Sequence, residues 1–373
     1  MNFEFSKTTE DFLKIITKIA QTCNVRVFFV GGIVRDYYLK KETVDIDLIL
    51  EGDAIKFSKN LPSGISIKSI HKDFGTVKLS YKETDIDLAS TRIEEYPFCG
   101  CLPKVTKIGV KIEDDTKRRD FSINSLYCEI SVKDDELEYK IVDLVDGIND
   151  IKTKTLRVLH NNSYIDDPTR IFRGLNFKYR FGFDFSNEDL KLIKTSLKNI
   201  NLKNASTDRI TEVFKKTLKS EFQDEIFREL IEKKYYKILF KSEIEVDFEN
   251  IKKIISKFDL NKDEKAEFYL KIFKDNIELP AFLNEIDEYK YYLKLQNWQR
   301  AYIFYKTKNE NVFIYPNIKI FLTGKKLLEL NYPKGKIIGE ILDTILLEKL
   351  KNKNAFLNIQ DEINWTQKHF PKN

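Results

Sequence analysis

The rhythm of apolar and polar positions changes once along this chain. Up to about Leu156 apolar residues come in short runs broken by turn residues, the pattern of strands with a few helices; from Asp166 onward they recur at helical spacing. The first clear strand is Val27-Phe28-Phe29-Val30, and it ends at Gly31-Gly32, after which Ile33-Val34-Arg35-Asp36 reads as the start of a helix. A second strand, Asp45-Ile46-Asp47-Leu48-Ile49-Leu50, follows, and the period of two puts Asp45 and Asp47 on one face. Thr84-Asp85-Ile86-Asp87-Leu88-Ala89 alternates in the same way. Further on, Ile251, Ile254, Ile255 and Phe258 follow the i, i+3, i+4, i+7 rule of one buried helix face, and the stretches Phe227 to Phe240 and Glu288 to Tyr305 read as helices. Gly324 to Leu330 predicts another helix. Pro333 and Gly335 punctuate a turn, and Ile337, Ile338, Ile341, Leu342, Ile345 and Leu346 line one side of the helix after it. The expected fold class is an α+β head, a mixed sheet with helices, followed by an all-α remainder.

Composition adjusts this picture in three ways. At 373 residues the chain is too long for one ordinary core, so two or more domains are expected. Charged residues make up 33%, yet the net charge is only +5, a mild basicity compatible with RNA but not diagnostic of it. Four cysteines (Cys23, Cys99, Cys101, Cys128) fit neither zinc spacing nor a disulfide framework, which points to a reducing cytoplasm. Glu4, Glu10 and Asp11 interrupt the N-terminus, and no apolar run approaches the length of a membrane span, so a soluble cytosolic protein with no membrane partner is expected. No Gly-x-x-x-x-Gly-Lys-Ser/Thr sequence occurs. The Tyr and Phe residues beside lysines in the helical half read as core rather than as an RNA-stacking surface.

The candidate chemistry sits in the strand-rich part. Gly31 and Gly32 lack a Cβ, so backbone N–H groups can approach phosphate oxygens, and the helix start behind them adds positive partial charge. Arg35 would face the same anion. Asp45 and Asp47 offer hard oxygen ligands suited to Mg²⁺, which binds through a few carboxylates plus substrate phosphates. A cation there would let a hydroxyl attack an α-phosphate and would neutralise leaving pyrophosphate. Asp87, preferred to Asp85, would complete the carboxylate set. In Lys117-Arg118-Arg119-Asp120-Phe121-Ser122-Ile123-Asn124, two guanidiniums able to grip phosphate bidentately stand beside a carboxylate, and Asn124 could meet a ribose. Alone, an Asp-x-Asp is usually a solvated strand edge and Gly-Gly a turn; order and spacing give them weight.

With these residues in view, the chain resembles the class II tRNA nucleotidyltransferases, the CCA-adding family that also contains the bacterial poly(A) polymerases. It matches the family's motif A (Gly31 to Asp47), motif B (Arg118 to Ser125), motif C (Asp143 to Ile151), motif D (Asp166-Asp167-Pro168-Thr169-Arg170) and motif E (Ser206 to Ile210), in order, over about half the chain. Asp167 and Arg170, three apart at a helix start, project to one side. A carboxylate that accepts from an exocyclic amino group beside a guanidinium that donates to a ring acceptor suits cytosine and adenine and rejects guanine and uracil. In the resembled family the equivalent residues read the incoming base in this way. Asp167 before Pro168 is also a standard helix entry, a role compatible with base reading. Asp166 stands where many relatives carry Glu.

The resemblance implies CTP and ATP as substrates, Mg²⁺ as cofactor, and tRNA as partner through its acceptor stem and elbow. It adds Asp120, Arg173 and Arg209 to the nucleotide-binding set of Gly31, Gly32, Arg35, Arg118, Arg119, Asn124, Asp167 and Arg170. It also implies four parts: a catalytic head over 1–155, a helical neck for base recognition over 156–225, a helical body over 226–310 and a helical tail over 311–373. Lys334 and Lys336 at the tail's helix start would suit RNA backbone phosphates. Arg92 to Val105 lies where the family has a flexible loop. With three scattered histidines (His71, His160, His369), the histidine–aspartate phosphohydrolase domain of some relatives cannot be built. Template-free CCA addition is the expected activity; A-only or CC-only addition, poly(A) synthesis and a silent RNA-binding module are its rivals.

Overall fold

The computed structural model describes residues 3–42, 46–202, 207–274, 279–282, 284–352 and 354–371. The chain divides into two compact units, Met1–Lys241 and Ser242–Asn373.

Unit 1 is built on a sheet of seven strands. Its strands are β1 (Val27–Val30), β2 (Asp47–Leu50), β3 (Ser66–His71), β4 (Thr76–Tyr81) and β5 (Thr84–Ser90), then, beyond a separate hairpin of β6 (Arg92–Glu95) and β7 (Lys104–Ile108), β8 (Leu126–Lys133) and β9 (Glu136–Asp143). The order across the sheet is β3-β4-β5-β2-β1-β8-β9; β2 and β5 run parallel and all other neighbours antiparallel. All four residues of β1 are buried, as a central strand covered on both faces requires. Phe28 and Val30 join Ile49, Tyr127 and Ile112 in an apolar cluster on one face. Helix α1 (Lys7–Thr22) packs against β8 and β9 and buries Phe12, Leu13, Ile16 and Ala20, a stripe at helical spacing; Ser6 caps it by accepting from the Thr9 N–H at 3.2 Å.

Short helices α2 (Gly32–Tyr38), α3 (Ala54–Ser58), α4 (Ile112–Thr116) and α5 (Gly147–Lys152) decorate the sheet, and α6 (Ser163–Asp166), α7 (Thr169–Phe181), α8 (Asn187–Asn199), α9 (Asp208–Leu218) and α10 (Gln223–Glu232) complete the unit. Two-residue strands β10 (Thr155–Leu156) and β11 (Asp184–Phe185) pair in parallel, and β11 lies inside the part expected to be helical. Gly174 lets α7 lie on this pair: a Cβ there would come within 2.4 Å of the Phe185 ring. The helix expected from Phe227 to Phe240 ends early, at Glu232. Lys234 adopts left-handed backbone (φ 57°), and the short 3-10 turn after it swings Tyr235 and Tyr236 into the core.

Unit 2 consists of helices α11 (Phe248–Lys257), α12 (Lys262–Lys274), α13 (Glu285–Leu293), α14 (Asn297–Thr307), α15 (Asn311–Ile314), α16 (Gly324–Glu329), α17 (Lys336–Lys351) and α18 (Ile359–His369). Ile251, Ile254 and Phe258 are buried as the periodicity requires. The stretch read as one helix from Glu288 to Tyr305 is two, because Gln296 and Gln299 form a capping box that starts α14 afresh. Ile341 and Ile345 of α17 meet Leu322, Leu327, Tyr332, Phe356 and Ile363 in one core. Among the described residues, no helix is long and apolar enough to cross a membrane.

Candidate active site

The register of the parallel pair places two carboxylates side by side. Asp47 opens β2 and is the direct partner of Asp87 on β5; both are exposed, whereas Leu48, Ile49, Ile86 and Leu88 are buried. On the next strands Lys78 pairs with Asp87, and Ser69 with Lys78, so one row across the sheet reads Asp47, Asp87, Lys78, Ser69. Asp45 lies outside the described residues. Asp85 shares the face of Asp87 but is engaged by Lys68 at 2.7 Å and Lys78 at 3.8 Å. The Lys68 hydrogen bond holds its carboxyl below the ordinary range. A bulge between Ile67 and Ser69 interrupts the register beside Lys68. Above the Asp47–Asp87 pair lies a cleft of about 400 Å³ whose walls include Gly31, His71, Arg118 and Arg119.

Gly31 turns the chain from β1 into α2 with φ 70°, a conformation that favours glycine, and its N–H donates to the Leu126 carbonyl at 3.4 Å. Arg118 and Arg119 follow α4, and Asp115 on that helix is the residue that organises them. It is fully buried. Its Oδ1 accepts from Arg118 Nε at 2.9 Å and from the Arg92 N–H at 3.0 Å; its Oδ2 accepts from Arg119 Nε and the Tyr127 hydroxyl, both at 3.0 Å. Burial works to raise the Asp115 carboxyl, but Arg119 and Arg118 together hold it below the usual carboxylate range. Arg119 also lies over the Tyr127 ring.

A second chain of polar contacts runs behind the cleft. Arg35 is buried; it donates to Asp36 at 2.9 Å and to Asn124 Oδ1 at 2.7 Å, and it lies over the rings of Phe177 and Phe181. Asn124 in turn donates to Asp120 at 3.2 Å, and Asp120 pairs with Arg173 at 2.6 Å. Burial opposes ionisation of Asp120, yet Arg173 and the Phe121 N–H keep its pKa low. Motif C fixes this turn from below. Asp143 accepts from the N–H groups of Val145, Gly147 and Ile148, and Asp150 meets the Ser122 hydroxyl at 2.5 Å and Arg157 at 2.6 Å. A Cβ on Gly147 would come within 2.4 Å of the Ser122 carbonyl, so the close approach requires glycine.

Motif D forms the third cluster. Asp167 is buried and accepts from the Thr169 N–H (3.1 Å) and hydroxyl (2.7 Å), the helix-entry role, and it also takes both ends of Arg209 at 2.8 and 3.2 Å. Arg170, also buried, donates to the Ser163 hydroxyl and, at 2.9 Å, to the Arg118 carbonyl. Asp166 lines a second hollow of about 570 Å³ with Tyr96, Lys117, Arg118 and His160. Burial raises the Asp166 carboxyl and lowers His160, the latter with help from Arg170. Arg118 borders both hollows, whereas Asp167 and Arg170 line neither. The β6–β7 hairpin carries the loop anticipated after Arg92, and the Gly100 N–H at its tip donates to the Asp166 carbonyl at 3.1 Å.

Of the nucleotide set, Gly31, Arg118 and Arg119 thus share one cleft with the carboxylates Asp47 and Asp87, while Gly32, at the start of α2, Arg35, Asp120, Asn124 and Arg173 stand behind it, and Asp167, Arg170 and Arg209 form their own knot. Sequence reasoning missed Asp115, although its spacing three and four residues before Arg118 and Arg119 is the signature of helix-surface ion pairs. Motif E is described from Thr207 onward, Ser206 lying outside the described residues. In unit 2, Lys336 reaches Glu340 at 3.4 Å and Lys334 is exposed. Among the described residues, no three His, Cys, Asp or Glu side chains converge to hold a metal. Asp47 and Asp87 supply two hard oxygen donors at one point, which fits a cation that also takes ligands from a bound phosphate.

Residues 27–157 match the poly A polymerase head domain. The chain is 37% identical over 201 residues to the A-adding tRNA nucleotidyltransferase of Geobacter sulfurreducens, a match covering 53% of this chain and 22% of that protein. It is 25% identical over 96% of its length to the CCA-adding enzyme of Lactococcus lactis, 98% of which is covered. Three A-adding relatives are matched over only 22%, 27% and 50% of their length. In structure, the Thermotoga maritima CCA-adding enzyme complexed with tRNA is similar with a TM-score of 0.71 at 23% identity, over 98% of this chain and 96% of that one, which establishes the fold. With residues 27–157 matched to a poly A polymerase head domain and the fold shared along nearly the whole chain, the protein is similar in its head to tRNA nucleotidyltransferases and has the fold of a CCA-adding enzyme.

Proposed function

We propose that this protein extends tRNA 3′ ends with C and A residues, taking CTP and ATP and using no nucleic-acid template. The observation that carries the reading is the register pair Asp47–Asp87 at the floor of a cleft that Gly31, Arg118 and Arg119 also line. Asp47 and Asp87, with Asp45, would hold Mg²⁺, and the cation would supply charge neutralisation at the α-phosphate and at the departing pyrophosphate. Arg118 and Arg119 grip the triphosphate. Arg35, Asp120 and Arg173 keep Asn124 oriented toward the ribose, so that their buried chain acts as a support rather than a contact. Asp167 and Arg170 read the amino-bearing edge of the base, with Arg209 holding the Asp167 carboxylate. For Asp167 and Arg170 to reach a base, the contacts to Thr169 and to the Arg118 carbonyl must be shared with it.

The division into head (1–155), neck (156–225), body (226–310) and tail (311–373) is part of the same proposal, as are a cytoplasmic location and an RNA-facing tail at Lys334 and Lys336. The sequence match to a CCA-adding enzyme along 96% of the chain supports full CCA addition. The test is incubation of purified protein with Mg²⁺ and tRNA transcripts ending at the discriminator base, at C and at CC, with each nucleoside triphosphate in turn. CMP incorporation on the first two ends and AMP on the third are expected. AMP incorporation alone would overturn the CTP half of the proposal, and long homopolymers on unstructured RNA would overturn the tRNA half.

A further inference from the structure

Asp115 makes contacts that a counter-ion would not need. It is fully buried, and each of its oxygens is committed to a different arginine: Oδ1 to Arg118 Nε at 2.9 Å, Oδ2 to Arg119 Nε at 3.0 Å and Nη2 at 2.9 Å. The Arg92 backbone N–H, at 3.0 Å, and the Tyr127 hydroxyl, at 3.0 Å, fix the carboxylate from two further directions. Tyr127 itself belongs to the apolar cluster under the sheet face, and its hydroxyl touches Arg119 Nε and the Thr116 hydroxyl at 3.0 Å each. The carboxylate therefore cannot swing without breaking bonds to the segment that follows α4, to β6 and to β8. Both guanidiniums are bound along their Nε edges, and both side chains line the cleft over Asp47 and Asp87. Two like charges on consecutive residues repel and would otherwise splay toward water.

We propose that Asp115 is a positioning residue which sets Arg118 and Arg119 as a single two-pronged clamp for the triphosphate of the incoming nucleotide. The inference rests on the reading of the cleft as the nucleotide site and deepens it. Arg118 adds a consequence: its carbonyl accepts from Arg170, so the aim of the clamp is mechanically tied to the start of α7, where the base-reading pair stands. One buried carboxylate thus links phosphate grip and base reading through a short path, Asp115 to Arg118 to Arg170.

The distinguishing experiment is Asp115→Asn, because charge and aim make opposite predictions. Removing a negative charge beside the cleft leaves it more positive, so a mere counter-ion role predicts tighter ATP binding. Loss of aim predicts weaker binding. Expected for Asp115→Asn is an ATP dissociation constant, measured by calorimetry with Mg²⁺ present, about tenfold higher than that of the unaltered protein, equivalent to about 1.4 kcal/mol. The KM for ATP should rise in step while the KM for tRNA stays within about twofold, a split that a general loss of structure would not give. Unchanged or tighter ATP binding by folded Asp115→Asn overturns the proposal. If that variant fails to fold, Tyr127→Phe decides: it keeps the carboxylate but removes one of its fixed contacts, and it should weaken ATP binding by about threefold, with no change overturning the clamp. Failure of the unaltered protein to incorporate nucleotide would instead overturn the functional reading, since the binding comparison stands without turnover.

Discussion

Both units bury charge, and the difference between the two burials is instructive. In unit 2, Lys349 and Glu362 form a closed pair. The lysine Nζ lies 2.6 Å from Glu362 and donates to the Lys319 carbonyl at 2.6 Å, while Glu362 accepts from the Phe321 and Leu322 N–H groups, and the ammonium rests on the Phe321 ring. In unit 1, Asp115 is just as deeply buried, but its partners extend from it into a cleft whose floor carries two exposed carboxylates. A closed set of buried bonds holds elements together. An open one presents aimed groups to something outside the fold. Breaking a buried pair by removing one partner leaves an uncompensated charge in either case, but only the open set should show the damage in substrate handling.

The sharpest way to break this comparison is at the cleft floor. Asp47→Ala should reduce nucleotide incorporation by roughly 10⁴-fold, about 5 kcal/mol of transition-state stabilisation, with the thermal midpoint within about 2 °C of the unaltered protein, because Asp47 is exposed. Single-turnover incorporation and a melting curve check it. The mirror experiment is Glu362→Ala in unit 2. It strands Lys349 and two backbone N–H groups and should cost about 3–5 kcal/mol in urea unfolding, with incorporation per folded molecule unchanged when measured well below the transition. If that variant instead kept its stability and lost selectivity among nucleotides, the division between closed and open burial would be wrong.

Arg170→Ala sharpens the comparison, since Arg170 is buried like the closed pair yet assigned to base reading. It should lower discrimination against UTP and GTP by about 30-fold, roughly 2 kcal/mol, in competition assays on tRNA ending at CC. It should also soften the fold, because the Ser163 hydroxyl and the Arg118 carbonyl lose their donor. Unchanged selectivity would return Arg170 to a purely structural role.

The smallest effect concerns pH. Arg173 holds the Asp120 carboxyl below its unfolded value, so Asp120 contributes stability that is present above the ordinary carboxylate pKa of about 3.9 and is lost as pH falls through the depressed folded value. Arg173→Ala removes the foremost cation. Its acid unfolding limb, followed by circular dichroism between pH 5 and 2, should start at higher pH than that of the unaltered protein, with little difference at pH 7 beyond the lost ion pair.

How much of this was legible in the sequence follows the range of the interactions. Strand β1, the glycine turn and the alternation of Asp47 and Asp87 are set by neighbours, and periodicity reads neighbours. Asp87 is preferred to Asp85 in the sequence, but alternation puts both on one face and gives no reason for the choice; Lys68, 17 residues away, is the ammonium that occupies Asp85. Arg35 looked like a first-turn residue facing an anion; its partner Asn124 is 89 residues on and the rings of Phe177 and Phe181 are farther still. Asp115 was local and could have been found from its i+3 and i+4 arginines. The helix end at Glu232 was hidden because its terminator is a lysine in left-handed backbone, with no glycine or proline to mark it.

The central claim is that the Asp47–Asp87 pair and the Arg118–Arg119 clamp address opposite parts of one metal-bound triphosphate. It is tested most directly by anomalous diffraction from crystals grown with Mn²⁺ and a non-hydrolysable CTP analogue. The account predicts a metal peak at about 2.1 Å from a carboxylate oxygen of Asp47, with phosphate oxygens within hydrogen-bond distance of Arg118 or Arg119. A metal bound away from that pair, or a triphosphate lying in a different cavity, would contradict it.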